Sequence, residues 1–462
     1  MTDFYLPEYF KAEYEIAAYI IRLLKTKIRP IESKTTNLKK KQPDAVKNAC
    51  NNRISILCGP PGTGKTTTLK RIIDSCQEAG LSCLCLAPTG KAAKRADEVI
   101  NNVNLLDSCQ VRNPKVQCST IHMGMKFNPI EGRFSVNEYN PFDYDVVVVD
   151  EISMIGCMLF HSLVSSIDFN RTRLILCGDQ YQLPSISPGN IARDLIDSRI
   201  IPTVQLDYVF RTGHDSGIVH NANNILRGNF IKEKDSSDEK YTDFYYIQTE
   251  TEEESFDFII KSVCEYLPIK RGFDPVRDIH ILSPGKRGII GTKNFNEELK
   301  GKLNNNRGNE HYGFAVGDKV INKKNDYELG IVNGDVGIVK SIESKDGENI
   351  GIKVDFGDGA GIDGTGIVVI NNDKLSKIYL SYCNTIHSSQ GSEYTALFIP
   401  IHRTHWMLLF RELIYTGLTR AKKFACFVGD KQCLAKAIKT NNVEKRNTGL
   451  VSRIIELASN SL

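Results

Sequence analysis

Gly59-Pro60-Pro61-Gly62-Thr63-Gly64-Lys65-Thr66 constrains this chain more than any other stretch. It follows an apolar run, Ile54 to Cys58, and opens a segment, Thr67 to Cys76, whose pattern predicts a helix. Strand, glycine-rich turn and helix in that order make a Walker A phosphate cradle. The glycines permit a tight turn that aims successive backbone N–H groups and the helix N-terminus at one anion. Lys65 then neutralises the β- and γ-phosphates, and the Thr66 hydroxyl completes the shell of a Mg²⁺ ion. Gly59 through Thr67 are therefore the expected contacts for a nucleoside triphosphate, ATP in the simplest case. The fold expected around such a cradle is α/β.

A second strand with an acidic end supports the same chemistry. Val146-Val147-Val148-Val149 is a buried β-branched run, and Asp150-Glu151 follows it directly. Asp150 would hold the Mg²⁺ shell, and Glu151 would orient and deprotonate an attacking water. The run Leu174 to Cys177 leads into Gly178-Asp179-Gln180-Tyr181-Gln182, where Gln180 can sense a γ-phosphate. Arg211, closing Leu206-Asp207-Tyr208-Val209-Phe210-Arg211, suits charge developing on a transferred phosphoryl group. Gln42 lies upstream of the cradle, and its amide can both donate to and accept from an adenine edge.

Other motifs suit a polyanion track. Leu81 to Ala87 reads as a buried strand ending in Pro88-Thr89-Gly90-Lys91, a turn into a helix. Hydroxyl, lysine and free helix N–H groups at a strand's carboxyl end fit backbone phosphates, although a solvated helix start has the same composition. Ser119-Thr120-Ile121-His122 follows, with His122 as readily packed as in contact with DNA. Lys126 to Val136 predicts a small β-hairpin turning at 129–132, within an insertion at about 123–140. Phe127 and Phe134 can pack on each other, or one can stack on a base pair and split a duplex.

In this order, Gln42, the cradle, APTGKAAKR, STIH, VVDEIS, GDQYQLPS and VFR resemble a superfamily 1 helicase of the RecD, TraA and Dda type. Two later stretches extend the resemblance over roughly residues 38–435. Tyr382 to Glu393 matches a late family motif; by resemblance, Thr385, His387 and Gln390 lie by the single strand and Glu393 reaches the nucleotide's ribose. Ser388 stands where the family commonly has lysine, which removes one cationic backbone contact. Leu413 to Lys422 matches the last motif, in which Arg420 would be a second arginine finger. The resemblance implies two RecA-like P-loop domains in tandem. A small β-hairpin insertion in the first and an SH3-like β-barrel insertion in the second complete the expected fold.

The expected divisions are a helical segment at 1–37, a first RecA-like domain at 38–208, and the first part of the second at 209–311. The SH3-like insertion at 312–376 and the rest of the second domain with a closing helix at 377–462 follow. Residues 231–255, rich in charge and poor in core formers, read as a solvated loop or linker. The resemblance further implies ATP and Mg²⁺ as cofactors and 5′→3′ movement on single-stranded DNA. Single strands and their junctions with duplex are the expected partners, with replication or repair proteins beyond them, for a motor working as a monomer. An RNA helicase and a non-translocating ATP switch remain the alternatives.

Composition narrows the setting. A net charge of +4 announces no polyanion partner, so any nucleic-acid track must be local. The thirteen cysteines are scattered and none form a CxxC pair, which favours reduced buried thiols over zinc or disulfides. No apolar run approaches membrane-spanning length, and the early Asp3 and Glu8 do not suit a signal peptide. A soluble, intracellular protein is the expectation.

Overall fold

The computed structural model describes residues 6–101, 116–210, 216–232, 242–306, 310–357, 360–362, 364–441 and 446–460. The chain forms two units, Met1–Arg211 with Asn442–Leu462, and Thr212–Asn441.

The first unit opens with α1 (Pro7–Lys25), whose fixed-φ proline occupies the first turn, where no N–H partner is missed. Ile16, Ala17, Ile20 and Leu23 form its buried stripe. After α2 (Gln42–Asn51) the chain lays down β1 (Ile54–Cys58), α3 (Lys65–Glu78), β2 (Cys83–Ala87), α4 (Gly90–Asn101) and β3 (Gln117–Thr120). A short α5 (Ile121–Gly124) leads to the hairpin strands β4 (Phe127–Asn128) and β5 (Arg133–Phe134), paired Phe127 to Phe134. Then come β6 (Val146–Val149), α6 (Cys157–Ser165), β7 (Arg173–Gly178), α7 (Ile191–Asp197) and β8 (Thr203–Gln205). The strands form one parallel six-stranded sheet in the order β3-β2-β6-β7-β1-β8. Helices cover both faces, so the central strands are buried throughout; β1, β2 and β6 have no exposed position. Cradle, carboxylates and Gln180 all follow the carboxyl ends of central strands, where such sheets bind ligands.

The second unit begins with α8 (Gly217–Leu226) and β9 (Phe244–Gln248). Next, α9 (Glu252–Lys261) runs through a π-helical turn at Ser262–Tyr266 into α10 (Leu267–Arg271). A strand β10 (Ile279–Ser283) and helix α11 (Thr292–Leu303) precede short strands β11 (Glu310–His311) and β12 (Phe314–Ala315). The strands β13 (Lys319–Asn322), β14 (Val336–Lys345), β15 (Glu348–Asp355), β16 (Ile367–Asn371) and β17 (Ile378–Leu380) form an antiparallel sheet in the order β16-β15-β14-β13-β17. It has its own core around Val320, Val339, Ile352 and Val354, as the SH3-like reading requires. The chain closes the unit with β18 (Cys383–Thr385), β19 (Tyr394–Ile401), α12 (Arg411–Leu418), β20 (Ala421–Gly429) and α13 (Lys431–Lys439). A second parallel sheet, β18-β10-β19-β20-β9, results. A last helix, α14 (Leu450–Ser459), belongs to the first unit.

Two expectations differ from this fold. The stretch 231–255 is not wholly a loop: Phe244–Gln248 pairs with β20, and Thr251 starts α9. Thr251 accepts from the Glu254 N–H while Glu254 accepts from the Thr251 N–H, a capping box that makes the acidic triplet a helix start. The second difference is α14, assigned by sequence to the second domain. It buries Leu450, Ile454 and Ala458 in the core containing α1, and Glu13 of α1 pairs with Arg453.

Candidate functional site

The cradle is built by two glycines that nothing else can replace. Gly64 has φ +78°, and a Cβ there would lie 2.3 Å from Gln42 Nε2; at Gly59 it would lie 2.5 Å from the Leu206 carbonyl oxygen. Gly59 N–H donates to Gly178 O (3.2 Å), fixing the loop to β7. Lys65 opens α3 and turns its ammonium onto the loop, donating to Gly59 O (2.7 Å) and Pro60 O (3.1 Å). Thr63, fully buried, donates its hydroxyl to Pro60 O (2.8 Å). Thr66 is half-buried and Thr67 exposed.

Asp150 follows β6, its N–H donating to Leu86 O (2.8 Å), and its Oδ1 accepts from the Glu151 N–H (2.9 Å). Burial raises the Asp150 pKa and Glu151 adds to the rise, while the Lys65 charge opposes it. A carboxylate held out of water beside another acid gains most from a cation. One carboxylate and one hydroxyl, Asp150 and Thr66, fit Mg²⁺, which keeps most positions for water and phosphate oxygens. No cluster of three His, Cys, Asp or Glu ligands occurs among the described residues. Glu151 itself has φ +53°, a left-handed backbone unusual for a non-glycine residue and frequent where function fixes a side chain.

Gln42 is buried, and both ends of its amide are taken. Oε1 accepts from the Lys39 N–H (3.1 Å) and Nε2 donates to Thr63 O (3.3 Å). It therefore braces the cradle as well as lining a shallow surface depression with Lys40, Thr63, Leu206, Tyr208 and Phe210. Tyr208 and Phe210 lie 4.7 Å apart between ring centroids, and the Phe210 N–H donates to Gly62 O (2.8 Å). Sequence reasoning passed over these two aromatics. Their alternate spacing just before Arg211 was the available signal. Arg211 lies outside the described residues. Gln180 is half-buried after the buried Asp179, whose carboxylate accepts from Tyr181 N–H (3.0 Å) and Gln182 Nε2 (3.3 Å).

Of the track residues, Pro88, Thr89 and Lys91 do stand at the carboxyl end of β2. The Thr89 hydroxyl accepts from the Ala92 N–H (3.3 Å), capping α4. His122 lies edge-on to Phe127 at 5.6 Å and 5.7 Å from Phe134, and the two phenylalanines are 5.0 Å apart. These three rings pack on one another, and burial lowers the His122 pKa. The side chain presented at the hairpin turn is instead Ile130, 94% exposed, which the sequence reading missed.

In the second unit, Thr385 ends β18 and its hydroxyl accepts from the Ser388 N–H (3.2 Å). Ser388 is exposed and donates back to Thr385 O (3.0 Å), so the residue in lysine's place serves the turn. His387, its pKa lowered by burial, and Gln390, whose N–H donates to His387 O (3.3 Å), complete the motif. Glu393 pairs with Lys422 (3.4 Å). Arg420 is buried, donating from Nε to Thr416 O (3.3 Å) and from Nη1 to Ser392 O (3.4 Å).

Three family models match in chain order: an AAA domain over residues 42–188, an ATP-dependent RecD-like DNA helicase SH3 domain over 295–356, and a UvrD-like helicase C-terminal domain over 380–428. The ATP-dependent RecD2 DNA helicase of Deinococcus radiodurans is 29% identical over 97% of this chain, which spans 58% of that protein. The RecBCD enzyme subunit RecD of Mycolicibacterium smegmatis is 29% identical over 89% of this chain and 74% of its own length. Among solved structures, Pif1 helicase from Bacteroides, in complex with ADP-AlF3 and ssDNA, has a TM-score of 0.53 at 17% identity, covering 88% of this chain and 95% of that one. Pif1 from Candida albicans has a TM-score of 0.51 at 18% identity over 92% and 99%. Both share the fold. The motifs, the three domain matches and these relatives agree: over most of its length the chain is similar to RecD-like DNA helicases.

Proposed function

We propose that this chain is an ATP-driven motor that moves along single-stranded DNA and opens duplex ahead of it. The observation that carries the reading is the pairing of a complete phosphate cradle after β1 with Asp150 and Glu151 after β6, at the carboxyl ends of buried strands of one sheet that only β7 separates. Lys65 leaves the Gly59 and Pro60 carbonyls for the β- and γ-phosphates, and the loop N–H groups hold the phosphate chain. Thr66 and Asp150 would hold Mg²⁺, which would supply charge neutralisation to those phosphates. Glu151 positions a water in line with the γ-phosphorus and takes its proton. Tyr208 and Phe210 hold the base, with Gln42 at its edge, and Gln180 registers the γ-phosphate. Arg211 and Arg420 stabilise the charge of the transferred group, and Glu393 contacts the ribose.

Pro88, Thr89, Lys91 and His122 on one unit, and Thr385, His387 and Gln390 on the other, grip the strand by phosphate and base contacts. Nucleotide turnover alternates the two grips and so drives stepping. The Phe127–Phe134 hairpin separates strands, with its rings as the support and Ile130 as the edge. Pif1 helicases of similar fold, one in complex with ssDNA and one unwinding forked DNA, support DNA as the track. Family resemblance supports 5′→3′ movement and work as a monomer. The described cysteines, all free, support a reducing compartment inside the cell. Among the described residues no helix is long and apolar enough to cross a membrane. The test is unwinding of duplexes with 5′ or 3′ single-stranded tails, in DNA and RNA. Opening of 5′-tailed DNA alone is expected. Opening of RNA only, or turnover indifferent to every polynucleotide, would reject the proposal.

A further inference from the structure

The segment that returns to the first unit makes one contact that packing of α14 does not require. Arg446 donates from Nη2 to Ser185 O (2.7 Å) and from Nη1 to Gly189 O (2.8 Å) and Ser187 O (3.2 Å). All three carbonyls lie on the loop that follows β7, a few residues beyond Gln180. The far side of that loop packs on the chain just after Glu151. Cys157 N–H donates to Pro188 O (2.9 Å), and a Cβ on Gly156 would come within 2.6 Å of Ser187 Cβ. Arg446 thus closes a series of contacts from the return segment, through the 185–189 loop, to the backbone leaving Glu151.

The chemistry of the contact is unusual for a docking anchor. A half-buried guanidinium loses hydration and here gains only neutral carbonyl oxygens, whereas the helix behind it is held by apolar burial and an ion pair. Gly449 N–H donates to Glu13 Oε2 (3.0 Å), Arg453 pairs with Glu13, and Asp194 hydrogen-bonds Thr448. What Arg446 adds is geometry. A planar fork reaching three carbonyls fixes their spacing, which a single ammonium cannot do. In sequence, Arg446 lies only five residues after Asn441, where the second unit ends.

We propose that Arg446 is a positioning residue that holds the Gln180 loop in the conformation needed for track-stimulated turnover. This rests on the motor reading above. It assigns no contact with nucleotide or strand to Arg446 itself.

The test uses the full chain, measuring ATP turnover with and without single-stranded oligothymidylate, with melting temperature alongside. Arg446→Ala and Arg446→Lys are each expected to lower the ratio of stimulated to unstimulated turnover about tenfold or more, with KM for ATP little changed. Arg453→Ala, which loosens α14 without touching the loop, is expected to lower the melting temperature and keep the ratio. In a Gln180→Ala background, Arg446→Ala should add no further loss. Full activity of Arg446→Lys, an equal loss in Arg453→Ala, or additive losses with Gln180→Ala would each overturn the inference. A parent chain unstimulated by any strand would instead reject the motor reading, and that is seen before any variant is made.

Discussion

Lys65 donates its ammonium to the carbonyl oxygen of Gly59, 2.7 Å away in the loop that it closes. The cation so placed fills the cradle with positive charge, and a phosphate has only to displace weak carbonyl partners to be held. Lys65→Ala is expected to cut kcat/KM for ATP by about 10²–10³, in line with removal of one preorganised charge-stabilising donor. The hydrogen bonds of Lys65 go to two carbonyls of its own loop, so thermal unfolding should stay within a few degrees of the parent. Turnover within tenfold of the parent would show that the loop does not cradle the transferred phosphate.

At the hairpin, strand separation and packing are assigned to different residues. Phe127, Phe134 and His122 touch one another, while Ile130 stands clear. An apolar wedge offsets part of the few kcal/mol needed to unstack a base step. Ile130→Asp should therefore slow duplex opening about tenfold while ATP turnover on single strands is unchanged. Phe134→Ala should affect both, because it removes the support on which His122 rests. Equal opening rates for Ile130→Asp and the parent would place the separating edge elsewhere.

The first unit also carries a pH-dependent brace. The Arg171 guanidinium beside Asp145 (2.7 Å) holds that carboxyl down at about 2, helped by the Ser82 hydroxyl and N–H. A depressed carboxylate contributes stability that is complete above its unfolded value near 4 and is lost as pH falls toward 2. Arg171 is 42% exposed, so solvent screening trims the effect to about 1 kcal/mol. Urea unfolding of Arg171→Ala should show that deficit at pH 6 and a smaller one at pH 3. A deficit that grows on acidification would contradict the assignment.

How much of this was legible beforehand depended on whether the determinant was local. The cradle could be read because positive φ at Gly62 and Gly64 demands glycine, and the lysine that follows is fixed by the helix it opens. The four valines of β6 announced a doubly covered strand for the same local reason. Phe244–Gln248 was hidden because its burial comes from β20, far away in sequence, while its neighbours are charged. The stripe Leu450, Ile454, Ala458 showed that a helix has an apolar face, and periodicity carries no information on which core receives it. Nor does any motif mark Arg446, whose partners are backbone atoms that every residue possesses.

Arg420 carries the strongest demand of the motor reading. Its guanidinium is 3% exposed and bound to the Thr416 and Ser392 carbonyls of its own unit. Service on a γ-phosphate therefore means exchanging those neutral acceptors for an anion, which charge-assisted hydrogen bonding favours. An arginine finger contributes about 10³–10⁵ to phosphoryl transfer, so Arg420→Ala should lose about three orders of magnitude in kcat. Affinity for a non-hydrolysable ATP analogue should change little. Arg420→Lys should restore the melting temperature without restoring turnover, since a point charge lacks the bidentate fork. If Arg420→Ala only lowers the melting temperature and turnover persists, Arg420 is a strut between α12 and the Ser392 turn, and the charge compensation must come from another residue.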